Sequence, residues 1–139
     1  MLLTAVRTGP ESATTETVIS GLIRAWNAGR AIEFAGFFTE NADLVNIHGM
    51  HLKGRQAIAG LYEMLFRSVF AQSSVNPSAA SRKRLRADVE LVHVKVKFNV
   101  ARGHMAGDQN AVISMVMTHH GNRWMVASMH NTLVSDSQN

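Results

Sequence analysis

The sequence predicts an α+β domain in which three helices precede a curved, mainly antiparallel sheet, and three observations lead to that class. In the first half apolar residues recur at three- and four-residue intervals, through Val18, Ile19, Leu22, Ile23 and Trp26, and again through Ile58, Leu61, Tyr62, Leu65, Phe66 and Val69. Beyond Arg82 the period becomes two: Val92, Val94, Val96, Phe98 and Val100 alternate with His93, Lys95, Lys97 and Asn99. Turn-forming residues separate the runs, and helices followed by strands make one layer covering the other.

Taken in order, residues 1–14 hold Gly9 and Pro10 with little periodicity and read as a loosely held arm, with Ser12 as a candidate helix cap. The first helix spans residues 15–28 and stops at Asn27 and Gly29, residues that tolerate the left-handed conformation. Residues 30–38 carry Ile32, Phe34, Phe37 and Phe38 and predict a short, largely buried helix. Asn41 supplies a turn, residues 42–47 a strand, Gly49 a reversal, and residues 50–53 a second short strand. The third helix follows Gly54 and runs through Val69, after which residues 72–81, with Pro77, read as a loop. A strand near residues 84–89 comes next, then a meander of three long strands at residues 92–100, 111–118 and 123–134.

Composition narrows the class. A chain of 139 residues, 46% hydrophobic, suits one domain, here residues 15–134 with a tail at 135–139. The absence of cysteine removes disulfide and thiolate chemistry and fits a cytoplasmic location. No run approaches the ~18 apolar residues of a membrane span, and none resembles a signal-peptide core. A net charge of +4 permits an anionic partner without demanding one. Arg82, Lys83, Arg84 and Arg86 lack the aromatic stacking residues or recognition helix that nucleic-acid binding would want, so they read as exposed strand charges that discourage edge pairing.

The order Trp26-Asn27-Ala28-Gly29, then Phe38-Thr39-Glu40-Asn41-Ala42-Asp43, a strand, Gly49, and Lys53-Gly54-Arg55 before a helix resembles the nuclear-transport-factor-2-like (NTF2-like) superfamily, particularly its SnoaL-like and SgcJ/EcaC branches. Asn122-Arg123-Trp124-Met125-Val126 and His130-Asn131-Thr132 resemble the last strand of the same branch, so the likeness covers roughly residues 15–132. It implies a cone-shaped fold, with the bent sheet wrapped over the helices around an internal cavity. The scaffold hosts isomerases, cyclases, dehydratases and non-catalytic binders, so fold alone does not select an activity. Aligned to the ketosteroid isomerases of this fold, Asn46 falls where their proton-moving aspartate stands and Leu22 where their oxyanion tyrosine stands. Neither can do that work, and the isomerase reaction is not carried over. The SgcJ/EcaC branch is often associated with oxidoreductases, but no dinucleotide-binding Gly-rich turn is present.

The resulting expectation is a pocket protein that binds or converts a small hydrophobic metabolite, in polyketide-type or other secondary metabolism. Trp26, Phe34, Phe38 and Tyr62 are its candidate apolar walls, Asn46 a polar contact, and His93 and His130 the candidate acid–base groups. Met115, Met117, Met125 and Met129 suit either a ligand cavity or core. His48 and His51 flank a turn without the third and fourth converging ligands a metal needs, so no metal and no cofactor is expected. The rival reading is a non-catalytic dimeric interaction module. A homodimer through the sheet is expected either way, over a face carrying Ala111, Ile113, Met115 and Met117 or over its alternate.

Overall fold

Thr14 starts the first helix, α1 (Thr15–Asn27), by accepting a hydrogen bond from Thr17 N, while the Thr17 hydroxyl accepts from Thr14 N in return. The cap is therefore Thr14 rather than Ser12, which is buried two residues earlier. In the computed structural model, which describes residues 12–135, α1 ends as its sequence predicts, with Gly29 at φ +69°. Residues 1–11 of the predicted arm and residues 136–139 of the predicted tail lie outside the described residues.

The remaining elements are α2 (Ala31–Ala35), β1 (Phe38–Val45), β2 (His51–Lys53), α3 (Arg55–Phe66), β3 (Ser74–Arg86), β4 (Val89–Val100), β5 (Gly107–His120) and β6 (Arg123–Leu133). The six strands form one mixed sheet in the order β2-β1-β6-β5-β4-β3. Every neighbouring pair is antiparallel except β1 with β6. The core lies between the helices and one face of this sheet, where Val92, Val94, Val96, Phe98 and Val100 are all buried, as their alternation predicts.

Four local expectations are corrected. Residues 72–81 are not a loop; most of them belong to β3, an edge strand that pairs only with β4 and is exposed from Asn76 to Arg86. With neither face covered it has no apolar alternation to read, and Pro77 sits beside a register shift, as proline does in edge strands. The second helix is shorter than residues 30–38, because Phe38 already belongs to β1, and Ile32 is 69% exposed rather than buried. Asn41 lies inside β1, where the register with β6 shifts between Phe38 and Asp43. The third helix stops at Phe66, and Val69 and Phe70 follow in turns, with Phe70 N donating to Leu65 O.

One side chain joins these layers. Trp26, at the end of α1, meets Phe34 of α2, Tyr62 and Phe66 of α3, Phe70 beyond it, and Phe98 of β4, with ring centroids 5.2–6.0 Å apart. Its indole N–H donates to Ser73 Oγ, and the neighbouring Asn27 amide pairs with both backbone groups of Val75. The helix end is thereby tied to the start of β3. Close approach of α1 to the turn that precedes β1 also depends on Gly21, because a Cβ there would lie 2.3 Å from Phe37 Cζ.

At the opposite end of α1, buried Glu90 of β4 accepts from Thr15 Oγ1 and from Arg84, which also stacks over Trp124 with 5.0 Å to the ring centroid. Burial alone would raise the Glu90 carboxyl, but the hydrogen bonds from Thr15 and Arg84 and the charges of Arg84 and Arg82 outweigh it and hold the group below its ordinary range.

Candidate functional site

A cavity of about 310 Å³ opens between α1, α3 and the helix-facing side of the sheet. α1 contributes Leu22, Ile23 and Trp26, and α3 with its following turns contributes Leu61, Tyr62, Met64, Leu65, Val69 and Phe70. The sheet supplies Val75, Val96, Phe98, Ala111, Ile113, Asn131 and Leu133. Asn46, Ile47, His48 and Met50 come from the β1–β2 turn, and His104 and Met105 from the β4–β5 connection. His48, Met50, Met64 and His104 are exposed as well as cavity-lining, which marks the open end. None of the described lining residues is Asp, Glu, Lys or Arg.

Polar atoms on the wall are few, and most are committed. Asn46 Oδ1 accepts from the backbone N–H groups of His48 and Met50, both at 2.9 Å, and so builds the turn at the mouth. Deeper in, Tyr62 is only 1% exposed. Burial pushes its phenol well above the usual range, a nearby Asn131 side chain opposes this only in part, and the hydroxyl stays protonated through physiological pH. Asn131 Oδ1 is buried and has no hydrogen-bond partner, the sole such side-chain atom among the described residues. An unpaired buried carbonyl of this kind costs free energy and calls for a reason.

The other candidates from the sequence sit elsewhere. Phe34 and Phe38 are buried and pack on each other at 5.4 Å, behind the wall rather than on it. His93 and His130 are exposed and do not line the cavity. Both are paired in register with Ser114, so they project from the opposite face of the sheet. His51 is exposed and bonds Asp43 at 2.7 Å, away from His48. Among the described residues no group of His, Cys, Asp and Glu converges as a metal site would require. Ala111 and Ile113 face the cavity, while Met115 and Met117 are buried in the core. The outer sheet face therefore carries the alternate set, Val112, Ser114, Val116 and Thr118.

Asn131 was hidden from sequence reasoning by a bulge. Met117 pairs with Val126 and Val116 with Ser128, so Ala127 is an extra residue in β6. Inward positions are even up to Val126 and odd from Met129, which turns Asn131 and Leu133 into the cavity and His130 out.

No protein-family model and no curated protein sequence matches the chain. Solved structures do. An uncharacterised protein with a cystatin-like fold from Caulobacter vibrioides superposes with a TM-score of 0.83 at 19% identity, over 88% of this chain and 89% of that one. A protein from Novosphingobium aromaticivorans, provisionally assigned as a scytalone dehydratase, gives 0.76 at 13% identity over 87% and 82%. A ketosteroid isomerase-like protein from Erwinia carotovora atroseptica gives 0.74 at 14% identity over 91% and 98%. At these identities the likeness speaks for the fold: the chain has the cystatin-like, NTF2-like α+β arrangement.

Proposed function

We propose that the protein binds or converts a small hydrophobic metabolite inside this cavity. The observation that carries the reading is the cavity itself, enclosed by aliphatic and aromatic side chains, open at one end and furnished with a few polar atoms, the form small-molecule sites take. Two of the similar structures bear the names of enzymes with small-molecule substrates, which supports the same direction. Within the superfamily we assign the chain to the SnoaL-like or SgcJ/EcaC branch, on the residues of the Trp26 helix end and the last strand. The cone-shaped arrangement and a role in polyketide-type or other secondary metabolism follow from that assignment, and a cytoplasmic location is proposed from the absence of cysteine.

Trp26 offers the test, because it lines the cavity whereas Trp124 lies at the far end of the sheet against His119 and Arg84. In a Trp124→Phe background, indole emission reports on Trp26 alone. A saturable change in that emission on titration with an apolar aromatic probe is expected, and Leu65→Trp, which fills the cavity, should weaken binding severalfold. Emission that never saturates, or binding indifferent to the filled cavity, would count against the reading.

The outer face of the sheet, with half-buried Val112 and Val116, is the surface we propose for a homodimer. A monomer in sedimentation at micromolar concentration would contradict that.

A further inference from the structure

Tyr62 and Asn131 stand side by side on the cavity wall, one on α3 and the other on β6. Together they present a phenolic O–H that can donate and a side-chain carbonyl that lacks a donor. Asn131 lines the cavity and the terminal torsion of an asparagine is broad, so rotation of the amide is the movement by which Oδ1 would meet a ligand there. A carbonyl or ether on a ligand can accept from Tyr62 but leaves Asn131 Oδ1 unpaired. A hydroxyl can accept from the first and donate to the second at once. Charge is disfavoured on separate grounds: a carboxylate buried beside this pair would find no Lys or Arg among the described lining residues, the two lining histidines, His48 and His104, being exposed at the mouth, and a buried ammonium would find no Asp or Glu.

We propose that the cavity selects uncharged apolar ligands bearing a hydroxyl group, an alcohol or phenol, whose oxygen accepts from Tyr62 Oη and whose proton is donated to Asn131 Oδ1. The inference rests on the small-molecule reading above and narrows it to a chemical class. The volume of about 310 Å³ sits near the lower end of the ~300–1,000 Å³ usual for ligand sites, which suits one or two fused rings better than a long lipid chain. Met50, Met64 and Met105 on the wall adapt to the skeleton, so the polar pair carries the selectivity.

Three probes on one skeleton test this: β-naphthol, its methyl ether and β-naphthoate, each titrated calorimetrically into the protein at neutral pH. Naphthol should bind at least about tenfold more tightly than the ether, the value of one well-made hydrogen bond to an otherwise unpaired group, and naphthoate should bind more weakly than either. In Asn131→Leu the naphthol-to-ether ratio should fall to about one. In Tyr62→Phe, a second variant that keeps the ring in place, part of the advantage should survive, because donation to Asn131 remains. Equal affinities in the wild type, tightest binding by the ether or naphthoate, or an undiminished ratio in Asn131→Leu would overturn the hydroxyl assignment while leaving a working pocket. Failure of all three probes to bind would overturn the pocket reading, and this inference with it.

Discussion

Replacing Asn131 by leucine should make the unliganded protein more stable, an unusual direction for a substitution on a cavity wall. The side-chain oxygen is buried without a partner, and such a group costs about 1–3 kcal/mol relative to a satisfied or apolar one. Leucine has nearly the same length, suits a strand, and would lie against its cross-strand neighbour Ile113. Set against the gain is the lost contact with the Tyr62 hydroxyl, worth on the order of 1 kcal/mol. A net increase of about 1 kcal/mol is expected, which for a chain of 139 residues corresponds to a rise in Tm of roughly 3–5 °C. Thermal unfolding followed by circular dichroism, with chemical denaturation as a check on the slope, measures it. An unchanged or lowered Tm would mean that the oxygen is paired or hydrated in solution, and the argument that it is kept for a ligand would fail. Retention of a stability cost at a binding residue is what a trade between function and stability looks like.

Two further outcomes follow from the same geometry. Gly21→Ala should gain roughly 1 kcal/mol of helix propensity but must displace the Phe37 ring, an overpacking cost of about 1–3 kcal/mol, so a net loss of about 1 kcal/mol is expected in urea unfolding; a stabilised variant would show that Phe37 moves freely. Glu90 has its folded pKa lowered, so its stabilising contribution is present above the unfolded carboxylate pKa of about 4.3 and is lost as pH falls toward the folded value. Glu90→Gln should therefore lower stability by about 1–3 kcal/mol at neutral pH and flatten the acid limb of the stability curve, and an unaltered acid limb in the variant would contradict the assignment.

Much of the fold was legible because its signals are periodic and one-sided. β4 alternates without interruption, and one of its faces is buried along its whole length, so its parity could be read directly. β3 could not be read, because an edge strand exposed on both faces has no reason to alternate and its proline looks like a loop residue. The site divides in the same way. Trp26 and Tyr62 are on helices, where the three- and four-residue spacing places them on the inner face, and both reach the cavity wall. Phe34 and Phe38 share the aromatic character but fall one layer deeper, a matter of tertiary depth that spacing does not encode. His130 and Asn131 exchanged faces through the single extra residue Ala127, which no local pattern announces.

The central claim, that a small apolar ligand occupies this cavity, is tested most directly by the methyl resonances of the methionines. Met50, Met64 and Met105 line the cavity, while Met115, Met117, Met125 and Met129 are buried outside its wall. With methionine methyl groups isotopically labelled and assigned by single substitution, saturation with β-naphthol should shift the first three strongly and leave Met125 at its original position. Shifts centred on Met125, or spread evenly over all seven, would place the ligand elsewhere and contradict the account.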